Sequence, residues 1–203
     1  MTKYASFAIS LAAAHCLLIA QAATAFACSA SPLSPDQLLT KSDVIVRATA
    51  INYRRMPDGP YHTTGIPDSP IEFRVEEVLK GEDVPLTLVI NGYLSDKDDF
   101  NDRPVPYNFV RGSGRRGSCY ANDYKEGAPF LLFLKKSEAG LTPYWAALTP
   151  TNEQLSGADD EWLSWVRGHV DAAGKRDAEQ IGVADVFLLS KSCWFGLPLA
   201  DAS

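Results

Sequence analysis

Positive charge is in short supply in these 203 residues, where 19 lysines and arginines stand against 25 aspartates and glutamates. Phosphate contacts need clustered Lys and Arg, so the balance argues against a nucleic-acid or anionic-membrane binder. Histidine is scarcer still, with three copies, and neither an H-E-x-x-H nor a G-x-S-x-G pattern occurs. The chain therefore offers no recognisable hydrolytic triad and no zinc site of its own, and it reads as a non-enzyme without a cofactor. No internal repeat is visible. With 46% apolar and 22% charged residues it is neither a disordered tail nor a polytopic membrane protein.

What is present begins with Lys3, the one charged residue among the first 27. An apolar run from Ala5 to Ala20 follows, broken by small serines, His15 and Cys16, and the segment ends Thr24-Ala25-Phe26-Ala27-Cys28. A charged start, an apolar stretch and an A-x-A site read as a secretory signal peptide over 1–27, which predicts a secreted or periplasmic protein. A retained membrane anchor is opposed by His15 and Gln21, which interrupt the stretch. Acylation of Cys28, the one route to a membrane partner, is opposed by the bulky Phe26. Cleavage after Ala27 removes Lys3 and no acid, so 18 basic residues face 25 acidic ones and the net charge becomes −7. Cys28 is then the first residue, and Cys119 and Cys193 remain. Three cysteines in an oxidising compartment allow one bridge and a leftover thiol, or an intermolecular pair. Spacing alone does not choose among these.

Beyond Cys28, Pro32 keeps the backbone extended until Ser34 or Pro35 opens a short helix through Thr40. Asp43–Tyr53 alternates as a half-buried strand, with Val44, Val46, Ala48 and Ala50 on one side and Ile45, Arg47, Thr49 and Ile51 on the other. The Pro- and Gly-rich stretch 54–70 reads as a long loop or hairpin tip. Ile71–Leu79 and Leu86–Ile90 are further strands, and the continuous apolar run Phe130–Leu134 fits a strand buried on both faces. Tyr144–Leu148 is expected as its hairpin partner across Glu138-Ala139-Gly140. The spacing of Trp162, Leu163, Trp165, Val166 and Val170 predicts a helix capped by Asp159 or Asp160. Short strands between turn signals, with a helix near each end, predict a mainly β fold with one small closed barrel. The domain is read as 28–171, followed by a C-terminal extension, 172–203, whose apolar segment Asp185–Leu199 is expected to pack on the domain.

Three other groups carry candidate chemistry. Asp96, Asp98, Asp99, Asn101 and Asp102 crowd one loop, but the EF-hand pattern fails at Phe100 and Asn101, so they read as a solvated acidic loop. Arg111-Gly112-Ser113-Gly114-Arg115-Arg116 reads as a solvated, flexible basic loop open to proteases. His62 falls in the Pro-rich loop and His169 on the last helix, with no motif that joins them in a site, and Trp162 and Trp165 read as packing residues.

Cys28-Ser29-Ala30-Ser31-Pro32, then Pro35-Asp36-Gln37, then Ser42-Asp43-Val44-Ile45-Val46-Arg47-Ala48 resemble the start of the N-terminal domain of the tissue inhibitors of metalloproteinases. That family opens on Cys-x-Cys-Ser-Pro, with a Pro-Gln-Gln turn and an Ala-Asp-Val-Val-x-Arg-Ala strand at the same spacing. The likeness continues more loosely through Phe73–Gly81, through Cys119 ahead of Gly127-Ala128-Pro129-Phe130-Leu131-Leu132, and on to about Val170. The resemblance implies a netrin-like module, an OB-type five-stranded barrel with flanking helices. It also implies a disulfide between Cys28 and Cys119 that leaves Cys193 unpaired.

The departures are specific. The family's second cysteine is Ala30 here, its third is Thr40, and its disulfide-rich C-terminal domain has no counterpart among these residues. Each missing bridge forgoes about 2 to 4 kcal/mol of constraint on the unfolded chain.

The resemblance further implies a mode of action on a zinc metalloproteinase. A catalytic zinc keeps one position open for water, and the free amine and carbonyl oxygen of Cys28 would chelate it there. An α-amino group with a pKa of about 7.7 to 8.0 sheds its proton readily near neutrality. Ser29, with Ala30 beside it, would make the protease-pocket contact. A netrin-like binding module that inhibits nothing is the alternative the same residues allow.

Overall fold

The computed structural model describes Cys28 and residues 31–57, 66–138 and 140–172. The chain divides into two units, Met1–Ala30 and Ser31–Ser203, and the second holds all the strands and helices among the described residues. Helix α1 covers Pro35–Lys41. Strands β1 (Val44–Tyr53), β2 (Pro70–Lys80), β3 (Thr87–Asn91) and β4 (Tyr93–Ser95) follow. Next come β5 (Asp123–Lys125), β6 (Pro129–Ser137), β7 (Gly140–Pro143) and β8 (Asn152–Gln154). The last helix, α2, spans 161–172. Among the described residues no helix is long and apolar enough to cross a membrane. The expected signal peptide, Ser29, Ala30, His62, Cys193 and all but the first residue of the C-terminal extension lie outside the described residues.

Local chemistry accounts for both helix starts. Ser34 accepts from the Gln37 N–H at 3.2 Å while Gln37 Oε1 accepts from the Ser34 N–H at 3.0 Å, a reciprocal box with Pro35 at the first turn. At α2, Asp160 Oδ1 accepts from Trp162 N–H at 2.9 Å and Leu163 N–H at 3.3 Å, so Asp160 is the cap.

Strands β1, β2 and β3 form an antiparallel meander, and β6 returns antiparallel along the other edge of β1. The far edge of β6 is shared. β7 pairs with its C-terminal half and β8 with its N-terminal half. The order β3-β2-β1-β6-β7 brings β3 close to β7, so the sheet nearly closes on itself. This is a mainly β fold with a five-stranded antiparallel barrel and flanking helices, the class expected. β4 and β5 form a separate parallel pair.

The barrel interior holds Val44, Val46, Ala48, Ala50, Ile71, Phe73, Leu88, Ile90, Phe130, Leu132 and Leu134, one face of each strand. The opposite face of β1 and β6 presents Ile45, Leu131 and Phe133 to Leu38 of α1 and to Trp162, Leu163 and Val166 of α2. β6 is therefore buried on both faces, which is why it reads as an unbroken apolar run. Arg167 grips Glu77 with two bonds, at 2.9 and 2.6 Å, and fixes α2 to β2.

Three expectations need correction. β1 is more than half-buried, because on its second face the helices cover Ile45 and Thr49 is buried with its hydroxyl bonded to Glu76 of β2. The third strand starts at Thr87, leaving Leu86 exposed. The partner of β6 is Gly140–Pro143, not Tyr144–Leu148. Gly140 takes a φ of +109°, which lets pairing begin at once with Ser137 opposite Gly140, so that the last paired residue is Pro143 and the Tyr144 N–H still reaches β6, at Phe133 O, 2.8 Å. β4, β5 and β8 were not visible as strands.

Candidate functional site

The turn that carries Cys119 belongs to the segment 96–122, which joins β4 to β5 with little regular structure and is held by buried polar contacts. Arg111 is completely buried. Its Nε donates to Asn152 O at 3.1 Å, one terminal nitrogen to Asp99 Oδ2 and to Ser113 Oγ, and the other to Ala121 O at 3.3 Å. The guanidinium lies 5.6 Å from the centroid of Tyr124 and 5.5 Å from that of Phe130, two rings of the barrel core. A buried charge is tolerable only when it is paired and fully bonded, and every nitrogen of this group has an acceptor.

β8 provides the other half of the arrangement through three successive buried polar residues. Asn152 Nδ2 donates to Ala121 O and to the Tyr124 hydroxyl. Glu153 accepts from the Arg111 N–H at 3.3 Å and from Asn101 Nδ2 at 2.8 Å, and Asn101 also reaches Phe109 O at 2.8 Å. Gln154 accepts from the Asp99 N–H at 2.9 Å and donates to Asp98 Oδ1 at 2.6 Å. One short strand thus fixes five points of a long loop, Asp98, Asp99, Asn101, Arg111 and Ala121.

The two acids of this cluster are driven in opposite directions. Burial disfavours the charge of Asp99, but the Arg111 charge and the bonds from Ser113 and Arg111 outweigh it and hold the carboxyl below the usual range. Burial dominates at Glu153 and pushes it up to about 7, only partly offset by the Arg111 charge and by bonds from Asn101 and the Arg111 N–H. Burial likewise pushes Tyr107 up to about 12, and it raises Tyr124.

The solvated acidic loop and the solvated basic run expected from the sequence are both corrected here. Asp99 and Arg111 leave those runs to pair with each other inside the fold. Asp98 bonds Lys125 at 2.7 Å and Asp102 bonds Arg115 at 2.7 Å, so most of the remaining charge is neutralised locally. A cleft of about 520 Å³ opens beside β4 and β5, lined in part by Tyr93, Asp96, Lys97, Arg116 and Asp123. Among the described residues no group of three or more His, Cys, Asp or Glu is placed to hold a metal ion.

The Cys119 turn rises from this base. Gly114 is packed so tightly that an added Cβ would lie 2.7 Å from Val110 Cγ2 and 3.0 Å from Ala121 N. Ser118 Oγ donates to Tyr120 O at 2.6 Å. Cys119 itself adopts a φ of +65°, rare for a side chain of its kind, and its carbonyl accepts from the Leu148 N–H at 2.7 Å. Tyr120 stands edge-on to Trp145 with centroids 5.8 Å apart, and the Leu33 N–H donates to Thr149 Oγ1 at 3.0 Å.

Cys28 and Cys119 form a disulfide, the pairing the resemblance implies. Thr40 donates its hydroxyl to Asp36 O within α1. His169 is exposed and stacks on Trp165 at 3.8 Å, whereas Trp162 is buried, as a packing residue should be.

Sequence reasoning missed Asn152, Glu153 and Gln154, and it placed Asn101 in a solvated loop and not on Glu153. The pair Gly112 and Gly114 beside Arg111 was a signal for the close packing of that arginine's own turn, where an added Cβ would meet Asp99 Oδ1 or Val110, but nothing comparable marks β8. The chain matches no family model and no curated protein.

Proposed function

We propose that the protein is an exported netrin-like module with an OB-type barrel, and that its processed N-terminus inhibits zinc metalloproteinases. The amine and carbonyl oxygen of Cys28 would take the open zinc position, and Ser29 and Ala30 would meet the protease pocket. The observation that carries the reading is the Cys28–Cys119 disulfide, because a chelating first residue must be held in place before it binds. Further support comes from the strand order β3-β2-β1-β6-β7 with β3 near β7, the connectivity an OB-type barrel uses. The rigid seating of the Cys119 turn on buried polar groups suits the same role.

A second reading, a non-inhibitory binding module in the extracellular or periplasmic space, is favoured by Thr40. With a threonine there, the N-terminal segment has one bridge where the animal inhibitors use several.

The amine separates the two readings. Protein beginning at Cys28 is compared with protein carrying one extra Ala before it, against a panel of zinc proteases. Inhibition by the first form alone supports chelation. Equal behaviour of the two forms, or none from either, favours the binding module. N-terminal mass spectrometry of exported material shows whether the chain begins at a free Cys28, as chelation requires, or at an acylated or uncleaved residue, which defeats it.

A further inference from the structure

Glu153 is fully buried, yet neither of its oxygens touches an opposite charge. Its two donors are neutral, the Asn101 side-chain amide and the Arg111 N–H. The guanidinium of Arg111 is spent elsewhere, on Asp99, Ser113 Oγ and two carbonyls. Two carboxyl groups therefore share one buried cation, and the geometry gives that cation to Asp99. The bonds Glu153 does make join those of Asn152 and Gln154 in tying the 96–122 segment to β8.

Among the described residues the other cations of this segment are turned elsewhere: Arg103, whose N–H donates to Asn101 Oδ1 at 3.1 Å, lies over the Phe109 ring, and Arg115 pairs with Asp102. From the segment packed against β8, Asp99, Tyr107 and Arg111 act on Glu153 or feel its charge. Across the ladder on β6 stands Leu131, apolar and buried. On β5, Tyr124 bonds Asn152, and at the start of α2 Asp160 and Glu161 add negative charge that reaches Tyr107. Lys125 is occupied by Asp98.

We propose that Glu153 is a proton-operated latch that holds the Asn101–Ser113 stretch on β8 while neutral and lets it open on ionising, loosening the Cys119 turn. Opening gives the carboxylate access to water, which stabilises the ion, whereas the closed state offers it only the two neutral donors. The titration range of Glu153, raised by burial to about 7, places this transition within the span an exported protein meets. The latch needs no protease. Its exported setting and its consequence for inhibition rest on the preceding reading.

Amide hydrogen exchange tests it on the full disulfide-bonded protein between pH 4.5 and 8, with each rate corrected for its intrinsic pH dependence. The expected result at Asn101, Arg111 and Ser113 is an opening equilibrium that rises about tenfold per pH unit from about 4.5 to about 7 and then levels off. β1 and β6 amides should stay flat. Glu153→Gln, which keeps a neutral amide at the site, should abolish the rise. A flat wild-type profile, or an equal rise in Glu153→Gln, overturns the proposal. Should that variant fail to fold, the carboxyl carbon shift of Glu153 in the wild type decides instead. A midpoint near 7 that coincides with the opening supports the latch, and a midpoint near 4.5 overturns it.

Discussion

Arg111 and Asp99 meet inside the fold, the guanidinium with no exposed surface and the carboxylate with 15% of its side chain exposed. The pair joins two runs that look like surface in the sequence. It lets an irregular segment penetrate to the rings of Tyr124 and Phe130 at the barrel end. Loops are normally laid over a core. Here one is pinned into it by charge, and the turn bearing Cys119 inherits that rigidity.

Removing one member of such a pair leaves the other buried and unbalanced. Arg111→Met should therefore destabilise the fold by about 3 to 5 kcal/mol in urea unfolding. Combining it with Asp99→Asn should recover part of that loss, since the stranded charge is then gone. A double variant whose loss equals the sum of the two single losses would show that the pair does not act as a unit.

Gly114→Ala tests the packing under the Cys119 turn. The new methyl would press on Val110 and on the Ala121 backbone, at a cost of about 1 to 3 kcal/mol. If the N-terminal reading is right, the same variant should weaken inhibition beyond what its lost stability explains. The comparison is made at a temperature where both forms are folded.

Stability should peak on the acid side of neutrality. Asp99 and Glu77 have folded-state pKa values below their ordinary ones, so the stability they contribute is present above about pH 4 and lost as pH falls. Glu153 runs the other way. Its raised value means that stability is fully present below about 4.5 and declines as pH rises to about 7, by up to roughly 3 kcal/mol for a fully buried group. Thermal melts across pH 3 to 8 should show a maximum near pH 4 to 5, and Glu153→Gln should flatten the alkaline side of it.

How much of this was legible depends on whether a residue's role is set by its neighbours in sequence. The helix start at Ser34 or Pro35, the cap at Asp159 or Asp160, and the alternation of Val44, Val46, Ala48 and Ala50 are local patterns, and each is found where expected, with Ser34 and Asp160 as the caps. The continuous run of β6 could be read because burial on both faces leaves no polar position. β8 could not, because Asn152-Glu153-Gln154 shows neither alternation nor apolar content, although all three are buried. Its burial is set by Asp99, Asn101 and Arg111, which lie more than 40 positions away. The cysteine pairing came from a resemblance and not from spacing, which left every pairing open.

Asp160 offers the last test, because one carboxylate serves two elements. Its Oδ1 caps α2 through Trp162 and Leu163, and its Oδ2 accepts from the Ser156 N–H and hydroxyl, both at 2.9 Å. Asp160→Ala removes four bonds and leaves two buried N–H groups of the first turn without a side-chain acceptor. The expected loss is about 1 to 2 kcal/mol. Because α2 holds Trp162 against Phe133 and Tyr107, the loss should appear first as a change in tryptophan fluorescence. An Asp160→Asn variant keeps an acceptor for the Trp162 and Leu163 N–H groups, so it should retain most of the stability. If Asn and Ala lose equally, the charge of Asp160, not its capping geometry, is what secures the helix.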